Sequence, residues 1–419
     1  MIKVGVIGVG TVGTSVVKIL EDNKEMITAR AGDEIRVKSG VVRSLDKKRD
    51  IDIALFDDPK AIVNDPEIDI VVELMGGVEE PFEVVKKALE NGKAVVTANK
   101  ALLAYHRYEL QDIAKDIAFE FEASVAGGIP IINALRDGLS ANHIKSIQGI
   151  MNGTCNYMLT KMMNEGVAFD AILKEAQELG YAEADPTFDI GGFDAAHKLL
   201  ILGSIAYGID AKPEDILIEG IEKVTQEDIA FAKEFGYVIK LLGIAKRESD
   251  EVEMRVHACL IRKEEMIAKI DGVMNGVSVV GDKVGETLYY GPGAGGDATA
   301  SAVVANIIDI VRSGKRSPML GFDKPLERGL KLKDKNAIVS KYYLRLKVQD
   351  KPGVLAKIAT IFGDHGISVE TMLQRPVDTG FANLLFSTHE AKEGEIQSVI
   401  RNLEALEFVT SSPVMIRIV

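Results

Sequence analysis

The chain has 419 residues, more than a single hydrophobic core usually holds, so we expect two or three domains. Its 50 basic residues against 63 acidic ones give a net charge of −13, which argues against a nucleic-acid partner because a polyanion would be repelled. Two cysteines are too few for a disulfide framework, and no charge-free apolar run reaches about 18 residues, so we expect a cytoplasmic protein without a signal peptide or membrane span.

Residues 1–130 alternate short β-branched runs with helical patterns. Such an alternation is typical of right-handed βαβ units around a parallel sheet. We therefore predict a doubly wound, Rossmann-type α/β domain. Its predicted strands are Ile2–Ile7, Ile35–Val42, Ile68–Glu73, Ala94–Thr97 and Ile117–Glu122.

A glycine-rich turn follows the first strand and opens a helix predicted over Val12–Leu20. Glycine lets the backbone turn tightly and approach a pyrophosphate, whose charge is favoured at a helix N-terminus. The turn predicts a dinucleotide site, although a turn that only connects two elements could have the same composition. The residues of this site are Gly8, Gly10, Thr11, Val12 and Gly13.

The end of the second predicted strand bears on the choice of cofactor. It lacks the acidic residue that would hold a ribose 2′-hydroxyl, although Asp46 is close. Arg43, Lys47 and Lys48 cluster there, and a guanidinium pairs well with a 2′-phosphate. The cluster favours NADP, with NAD as the alternative cofactor and a solvated basic loop as the alternative interpretation.

Thr97-Ala98-Asn99-Lys100 stands at the carboxyl end of a predicted parallel strand, where open α/β sheets place their ligands. We expect Lys100 to point into the cofactor cleft. The alternative is an exposed lysine at the start of a helix.

Longer amphipathic helices replace the alternation from about Gly128, with strands predicted at Ile144–Met151 and Glu253–Ile261. They predict an α+β domain for substrate binding and dimerisation over residues 131–296. The alanine-rich helix predicted over Asp297–Val311 is expected to pack against the first domain, which residues 297–320 would complete.

Four carboxylates and a lysine lie within the 16 residues that end at Lys198. Asp194 and Lys198 are four residues apart on the helix predicted over Phe193–Tyr207, so both lie on one face. Because residues 199–207 are nearly all apolar, we expect this helix to be buried and its lysine to line a cavity, rather than to form a surface ion pair.

Taken together, the motifs closely resemble homoserine dehydrogenase over nearly all of residues 1–320. The resemblance implies an NAD(P)-dependent oxidoreductase that interconverts L-homoserine and L-aspartate 4-semialdehyde in threonine, methionine and isoleucine biosynthesis. The matching segments are Gly8–Gly13, Thr97–Lys100, Glu122–Pro130, Gly149–Tyr157, Glu183–Lys198 and Gly291–Thr299.

The resemblance also implies roles for single residues. Lys198 would be the proton donor and acceptor for the substrate oxygen, with Asp194 beside it, and reduction of an aldehyde does need such a proton. The implied substrate residues are Glu183, Asp189, Gly153 and Thr154, and the further cofactor residues are Thr97, Lys100 and Gly293.

Members of this family bind a monovalent cation such as sodium near the hinge between domains. Glu122 and the carbonyls of Val125, Gly127 and Ile129 match those positions, and oxygen ligands suit a hard cation. The alternative is a plain buried loop.

The last 89 residues contain a polar stretch, Lys331–Lys341, and then a strand–helix–strand–strand–helix–strand pattern. We predict an exposed linker over residues 321–341 and a ferredoxin-like βαββαβ domain over 342–419. A chain truncated after about Lys333 is therefore expected to keep its activity and to lose regulation. The six predicted elements are Tyr342–Val348, Gly353–Phe362, Ile367–Gln374, Phe381–Ser387, Gly394–Leu406 and Val414–Val419.

Two short motifs, Val348–Ile358 and Asp364–Val369, resemble those of an ACT domain. That resemblance implies an amino-acid effector, with threonine as the first candidate. The alternative is a dimerisation module that binds nothing. For the whole protein we expect a homodimer or homotetramer.

Two other functions stay open. One is a different nicotinamide enzyme acting on a related amino-acid aldehyde or hydroxyl, and the other is a non-catalytic amino-acid sensor. A thioester on Cys155, as in aspartate-semialdehyde dehydrogenase, is not expected because the rest of that pattern is absent, so Cys155 is interpreted as a packing residue.

Overall fold

The computed structural model describes residues 1–312, 318–326, 329–378 and 380–419. Parts of the segment 297–320 and of the predicted linker therefore lie outside the described residues. The N-terminal elements are β1 Ile2–Ile7, α1 Thr11–Asp22, α2 Lys24–Ala31, β2 Ile35–Val41, β3 Ala54–Phe56, α3 Lys60–Val63, β4 Ile70–Glu73, α4 Glu79–Glu90, β5 Ala94–Thr97, α5 Lys100–Ala114 and β6 Phe119–Glu120.

The N-terminal strands form a parallel sheet in the order β3-β2-β1-β4-β5-β6. The order reverses at β1, which is the doubly wound arrangement predicted from the alternating pattern. Val4 lies between Val37 and Ile70, and all three side chains are buried. Because the strands run the same way, their carboxyl ends meet at one edge of the sheet.

The strand predicted over Ile117–Glu122 is shorter than expected. Its ladder with β5 stops at Glu120, and residues Glu122–Ser124 form a 3₁₀ turn instead. The chain leaves the sheet there, and the Glu122 carboxylate accepts backbone hydrogen bonds from Ile132 and Asn133, which lie outside the sheet.

The middle of the chain mixes long helices with antiparallel strands, and β12, β11 and β7 form adjacent antiparallel pairs. Helix α12 packs Val303 and Ile307 into the core that surrounds Val4 of the parallel sheet. The elements are α6 Ile131–Asn133, β7 Ile144–Ile150, α7 Gly153–Glu165, α8 Phe169–Glu178, α9 Thr187–Ile190, α10 Phe193–Tyr207, β8 Leu217–Ile218, α11 Gln226–Glu234, β9 Tyr237–Glu248, β10 Glu251–Arg262, β11 Met274–Gly281, β12 Gly285–Pro292 and α12 Gly296–Arg312.

The C-terminal residues form the βαββαβ fold predicted from the sequence, with the core strands in the order β18-β14-β16-β15. Its core includes Leu344, Ile358 and Phe386. The elements are β13 Lys331–Leu332, β14 Val339–Gln349, α13 Val354–Asp364, β15 Val369–Asp378, β16 Phe381–Thr388, β17 Ala391–Lys392, α14 Glu393–Glu404 and β18 Val414–Ile418.

The stretch Lys331–Lys341 is less exposed than predicted. Lys331 and Leu332 pair with β10, and Ile338 is 1% exposed. Strand β18 also pairs in parallel with β10, at Cys259 and Leu260. The C-terminal fold is thus joined to strand β10 by main-chain hydrogen bonds.

The chain divides into two compact units, each made of three separate segments. The domain boundaries predicted at 130, 296 and 341 stay a prediction. In the described part of the chain, no helix is long and apolar enough to cross a membrane. Unit 1 comprises Met1–Gly153, Ala196–Asp215 and Val273–Leu330, and unit 2 comprises Thr154–Ala195, Ile216–Gly272 and Lys331–Val419.

Candidate active site

The glycine-rich turn has the close backbone packing that only glycine permits. Gly8 has φ +99°, and a Cβ there would lie 2.5 Å from the Leu74 carbonyl oxygen. A Cβ on Gly13 would lie 2.6 Å from the Gly8 carbonyl oxygen. A Cβ on Gly10 would have no atom within 4 Å, so the turn is open on that side. Helix α1 begins directly after it with Thr11 and Val12. The open side of the turn and the helix N-terminus fit a pyrophosphate.

A cleft of about 410 Å³ opens above this turn, at the carboxyl edge of the parallel sheet. Its position is the one that α/β folds use for nucleotides. The lining residues are Ile7, Gly8, Val9, Gly10, Val41, Val42, Arg43, Arg49, Asp57, Pro59, Leu74, Met75, Gly76 and Glu80.

Two arginines line this cleft, and only one of them was singled out from the sequence. Arg43 is exposed, directly after the buried Val42. Arg49, which the sequence interpretation missed, donates from Nε to the Val9 carbonyl at 3.0 Å and from Nη1 to the Lys47 carbonyl at 2.8 Å. Arg49 therefore ties the basic loop to the glycine-rich turn. Its only signal in the sequence was its place in the same loop as Arg43.

A buried hydrogen-bond network joins the ends of β4 and β5. The Thr97 hydroxyl donates to Glu73 at 2.5 Å, and the Met75 backbone N–H donates to the other Glu73 oxygen at 2.6 Å. Burial raises the pKa of Glu73 to about 7, against the lowering effect of these bonds. Asn99 caps α5 by accepting from the Leu102 N–H, so Lys100 stands half-buried in the first turn of that helix. The sequence did not indicate a role for Glu73, because a glutamate at the end of a strand has no distinguishing pattern.

Helix α10 carries Asp194 and Lys198 one turn apart, and they are 3% and 8% exposed. The Lys198 ammonium donates to the Met151 carbonyl at 2.6 Å. That carbonyl lies just after β7 and two residues before Gly153, the first residue of α7. The lysine is therefore held at a buried position, as its apolar surroundings in the sequence predicted.

The carboxylate loop lies next to Thr154 within the second unit. The Thr154 hydroxyl donates to the Tyr181 carbonyl at 2.5 Å, two residues before Glu183, which is exposed. Asp189 is half-buried on the one-turn helix α9, and its carbonyl accepts from the buried Cys155 thiol at 3.3 Å. Cys155 is 0% exposed, and its role as a packing residue stays a prediction.

Comparisons with known proteins agree with this arrangement. A family model described as "Homoserine dehydrogenase, NAD binding domain" matches residues 8–122, and one described as "Homoserine dehydrogenase" matches residues 130–308. The chain is 54% identical to a homoserine dehydrogenase of Helicobacter pylori over 418 residues, covering 100% of this chain and 99% of that one. The chain belongs to the homoserine dehydrogenase family.

Solved structures of the homoserine dehydrogenase family extend the match to the whole fold. A homoserine dehydrogenase from Thiobacillus denitrificans has a TM-score of 0.94 at 47% identity, covering 100% of this chain and 98% of that one. A hyperthermophilic archaeal homoserine dehydrogenase in complex with NADPH has a TM-score of 0.63 at 29% identity, covering 74% of this chain and 97% of that one. Residues 342–408 match the ACT domain model, so the C-terminal fold is an ACT domain.

Membership of the homoserine dehydrogenase family makes the chain an oxidoreductase with a nicotinamide cofactor. Among the cofactor residues implied by the resemblance, Gly293 lies in a tight backbone contact. Its carbonyl oxygen would be 2.6 Å from a Cβ on Gly127. The backbones at residues 127 and 293 therefore approach each other too closely for a side chain on Gly127.

The predicted cation site begins at Glu122, the first residue of the 3₁₀ turn, and its other three residues lie on the loop that follows the turn. Ala126 and Gly127 have φ of +54° and +51°, and Val125 and Ile129 are buried. Each oxygen of the Glu122 carboxylate accepts one backbone N–H at 2.8 Å, which leaves a lone pair on each. Burial raises the pKa of Glu122 to about 7. A nearby cation would favour the ionised form of Glu122. Carboxylate and carbonyl oxygens are ligands that suit a hard cation, so the donor set fits a monovalent ion.

Proposed function

We propose that the chain interconverts L-homoserine and L-aspartate 4-semialdehyde reversibly, and that it prefers NADP to NAD. The observation that carries this proposal is a lysine, Lys198, that is 8% exposed on α10, one turn beyond Asp194 and hydrogen-bonded to the Met151 carbonyl. A buried lysine on a rigid helix has a defined position from which a proton can be moved.

Lys198 moves the proton at the substrate oxygen, and Asp194 keeps the ammonium oriented. General acid catalysis of this kind contributes about 10² to 10⁴ in rate. Glu183 and Asp189 hold the substrate ammonium group, because a cation needs carboxylates. The substrate carboxylate lies near Gly153 and the N-terminus of α7, where the helix dipole favours an anion. Thr154 supports this end of the helix through its bond to the Tyr181 carbonyl.

The cofactor supplies or accepts the hydride when it is bound. Gly8, Gly10 and Gly13, at the start of α1, would hold its pyrophosphate, and Arg43 would hold its 2′-phosphate. Further cofactor residues are Thr11, Val12, Thr97, Lys100 and Gly293. A monovalent cation such as sodium would be held by Glu122 and the carbonyls of Val125, Gly127 and Ile129.

The ACT domain senses an amino acid, with threonine as the first candidate, in a homodimer or homotetramer. The reaction then belongs to threonine, methionine and isoleucine biosynthesis, and the inhibitor, threonine, is an end product of that biosynthesis. What supports this part of the proposal is the ACT fold over residues 342–408.

The decisive experiment follows the absorbance of the reduced nicotinamide with homoserine and either NADP or NAD, with and without threonine. Homoserine oxidation that is faster with NADP and slowed by threonine would support each part of the proposal. Serine and threonine serve as alternative substrates. A rate with either of them above that with homoserine would assign the chain to a different hydroxy amino acid.

Replacing Arg43 with alanine tests the cofactor preference separately. The variant should lose affinity for NADP and keep its affinity for NAD, because only NADP has the extra phosphate. A charge-assisted contact is worth about 1.5 to 3 kcal/mol, so the dissociation constant for NADP should rise roughly tenfold or more. Arg36→Ala, an exposed arginine on β2, is the matched control. Equal losses for both cofactors would show that Arg43 does not contact the 2′-phosphate.

A further inference from the structure

The C-terminal strand β18 carries a buried arginine whose partners come from two parts of unit 2. Arg417 is 0% exposed and donates to Glu393 of α14 from Nε at 2.9 Å and from Nη2 at 2.5 Å. It also donates to Glu219 from Nη1 at 2.7 Å and from Nη2 at 3.1 Å. Burial would lower the pKa of Arg417, but the two carboxylates outweigh it and raise the pKa. The guanidinium is therefore a permanent cation held between two carboxylates.

Glu219 belongs to a segment that contacts residues Ile190–Gly192 directly. We call these residues the substrate loop because they lie between Asp189 and Asp194. Glu219 follows β8, and its backbone N–H donates to the Val256 carbonyl of β10 at 2.8 Å. Two residues on, the Ile221 N–H donates to the Ile190 carbonyl at 2.9 Å. A Cβ on Gly220 would lie 2.0 Å from that same carbonyl oxygen, so the two backbones are packed without space for a side chain.

The segment held in this way lies between the two carboxylates to which the proposed function gives a role. Ile190 directly follows Asp189, and Gly192 is two residues before Asp194. Gly192 has φ +87°, and a Cβ there would lie 3.1 Å from the Glu219 carbonyl oxygen. A displacement of Glu219 would therefore be transmitted to this segment by close packing, since neither backbone has room to move independently.

We propose that Arg417 and Glu219 are positioning residues for the reaction, through which the ACT domain holds the substrate loop at Ile190–Gly192. The inference rests on the proposed function for the roles of Asp189 and Asp194. It makes the substrate affinity of the enzyme depend on an ion pair that no substrate atom touches. It also identifies β18 as the part of the ACT domain whose movement would reach the substrate loop.

The test replaces Glu219 with glutamine, which keeps the shape of the side chain and removes its charge. Glu219 is 39% exposed at its side chain, and Arg417 keeps its pair with Glu393, so the variant should fold. Glu227→Gln is the matched control. Glu227 is 48% exposed and pairs with another ACT arginine, Arg345, at 3.0 Å, but from α11 rather than from the segment bonded to Ile190.

Two measurements are made on both full-length variants. Hydrogen exchange of the peptide covering residues 187–195 should become faster in Glu219→Gln than in Glu227→Gln. The KM for homoserine should rise about three- to tenfold in Glu219→Gln, less than for loss of a direct charge-assisted contact because no substrate atom touches Glu219, with the KM for NADP and kcat changed less than twofold.

Exchange over residues 187–195 that is the same in both variants would overturn the inference, whatever the activity. An unchanged KM for homoserine in an active Glu219→Gln enzyme would overturn it as well. If exchange becomes faster while the wild-type chain oxidises no homoserine, the link between Arg417 and the substrate loop stands and the proposed substrate is wrong.

Discussion

Lys198 has a more restricted environment than a lysine in a helix usually has. It is 8% exposed, and its ammonium group donates to the Met151 carbonyl at 2.6 Å. A buried ammonium is costly unless it is hydrogen-bonded, and the Met151 carbonyl supplies such a bond. Replacing this one lysine is therefore the most direct test of the proposed chemistry.

Replacing Lys198 with alanine should lower kcat by about 10² or more, because the proton would no longer be delivered to the substrate oxygen. The dissociation constant for NADP should change little, since the glycine-rich turn and Arg43 are untouched. Turnover is measured with homoserine, and cofactor binding by fluorescence or calorimetry. Lys174→Ala, at a lysine of α8 that is 78% exposed, is the control. Near-normal turnover in Lys198→Ala would remove this residue from proton transfer.

Hydrogen bonds between the ends of neighbouring elements shape the edge of the sheet where the cleft lies. Glu73 ends β4 and Thr97 ends β5, and the two side chains bond each other out of solvent. Desolvation raises the pKa of Glu73 from 4.5 to about 7. The folded protein therefore binds a proton more tightly than the unfolded chain between these two values.

The sign of this shift predicts how stability depends on pH. Because the folded pKa of Glu73 is raised, its contribution to the free energy of unfolding is fully present below about pH 4.5 and is lost as the pH rises through about 7. Glu73→Gln cannot titrate, so the variant should gain stability relative to wild type between pH 5 and about pH 8. The Tm of both proteins is measured across that range.

Glu79→Gln, at the exposed start of α4, controls for a general change in net charge. A difference in Tm between wild type and Glu73→Gln that stays constant with pH would contradict a raised pKa at Glu73.

The second unit joins the ACT domain to the elements around β10 through buried contacts. Asp228 is 0% exposed and accepts from the Tyr343 hydroxyl at 2.8 Å and from Arg345 Nε at 2.7 Å. Strand β18 adds a parallel ladder with β10. The sequence alone favoured a separable regulatory tail. These contacts instead predict that removing the tail would destabilise the second unit, because it would uncover them.

Truncation after Lys333 should therefore lower the Tm markedly. Breaking one buried ion pair typically costs about 3 to 5 kcal/mol, and the deletion also removes the strand beside β10. Thermal unfolding and homoserine oxidation of the truncated chain are compared with those of the full-length Tyr343→Phe/Arg345→Met variant. That variant loses the two ACT-domain partners of Asp228 and keeps β18, so its Tm should fall less. If the truncated chain has the Tm and activity of the full-length protein, the tail is a separable domain.

Local patterns in the sequence determined much of the fold and part of the site. The alternation of apolar runs predicted the parallel sheet, and the pattern after Lys341 predicted the βαββαβ order. The spacing of Asp194 and Lys198 placed both on one helix, since side chains four residues apart share a face. These features depend on neighbours within a few residues, and a sequence displays such neighbours directly.

Only the tertiary structure decided which distant residues meet. Arg49 reaches the carbonyl of Val9, Glu73 bonds Thr97, and Arg417 pairs with Glu219, which is 198 residues away. A single long-range contact has no period and no fixed spacing, so it leaves no signal in one sequence. The close packing that links the ACT strand β18 to the substrate loop is a sum of such contacts, and it became visible only when the chain was folded.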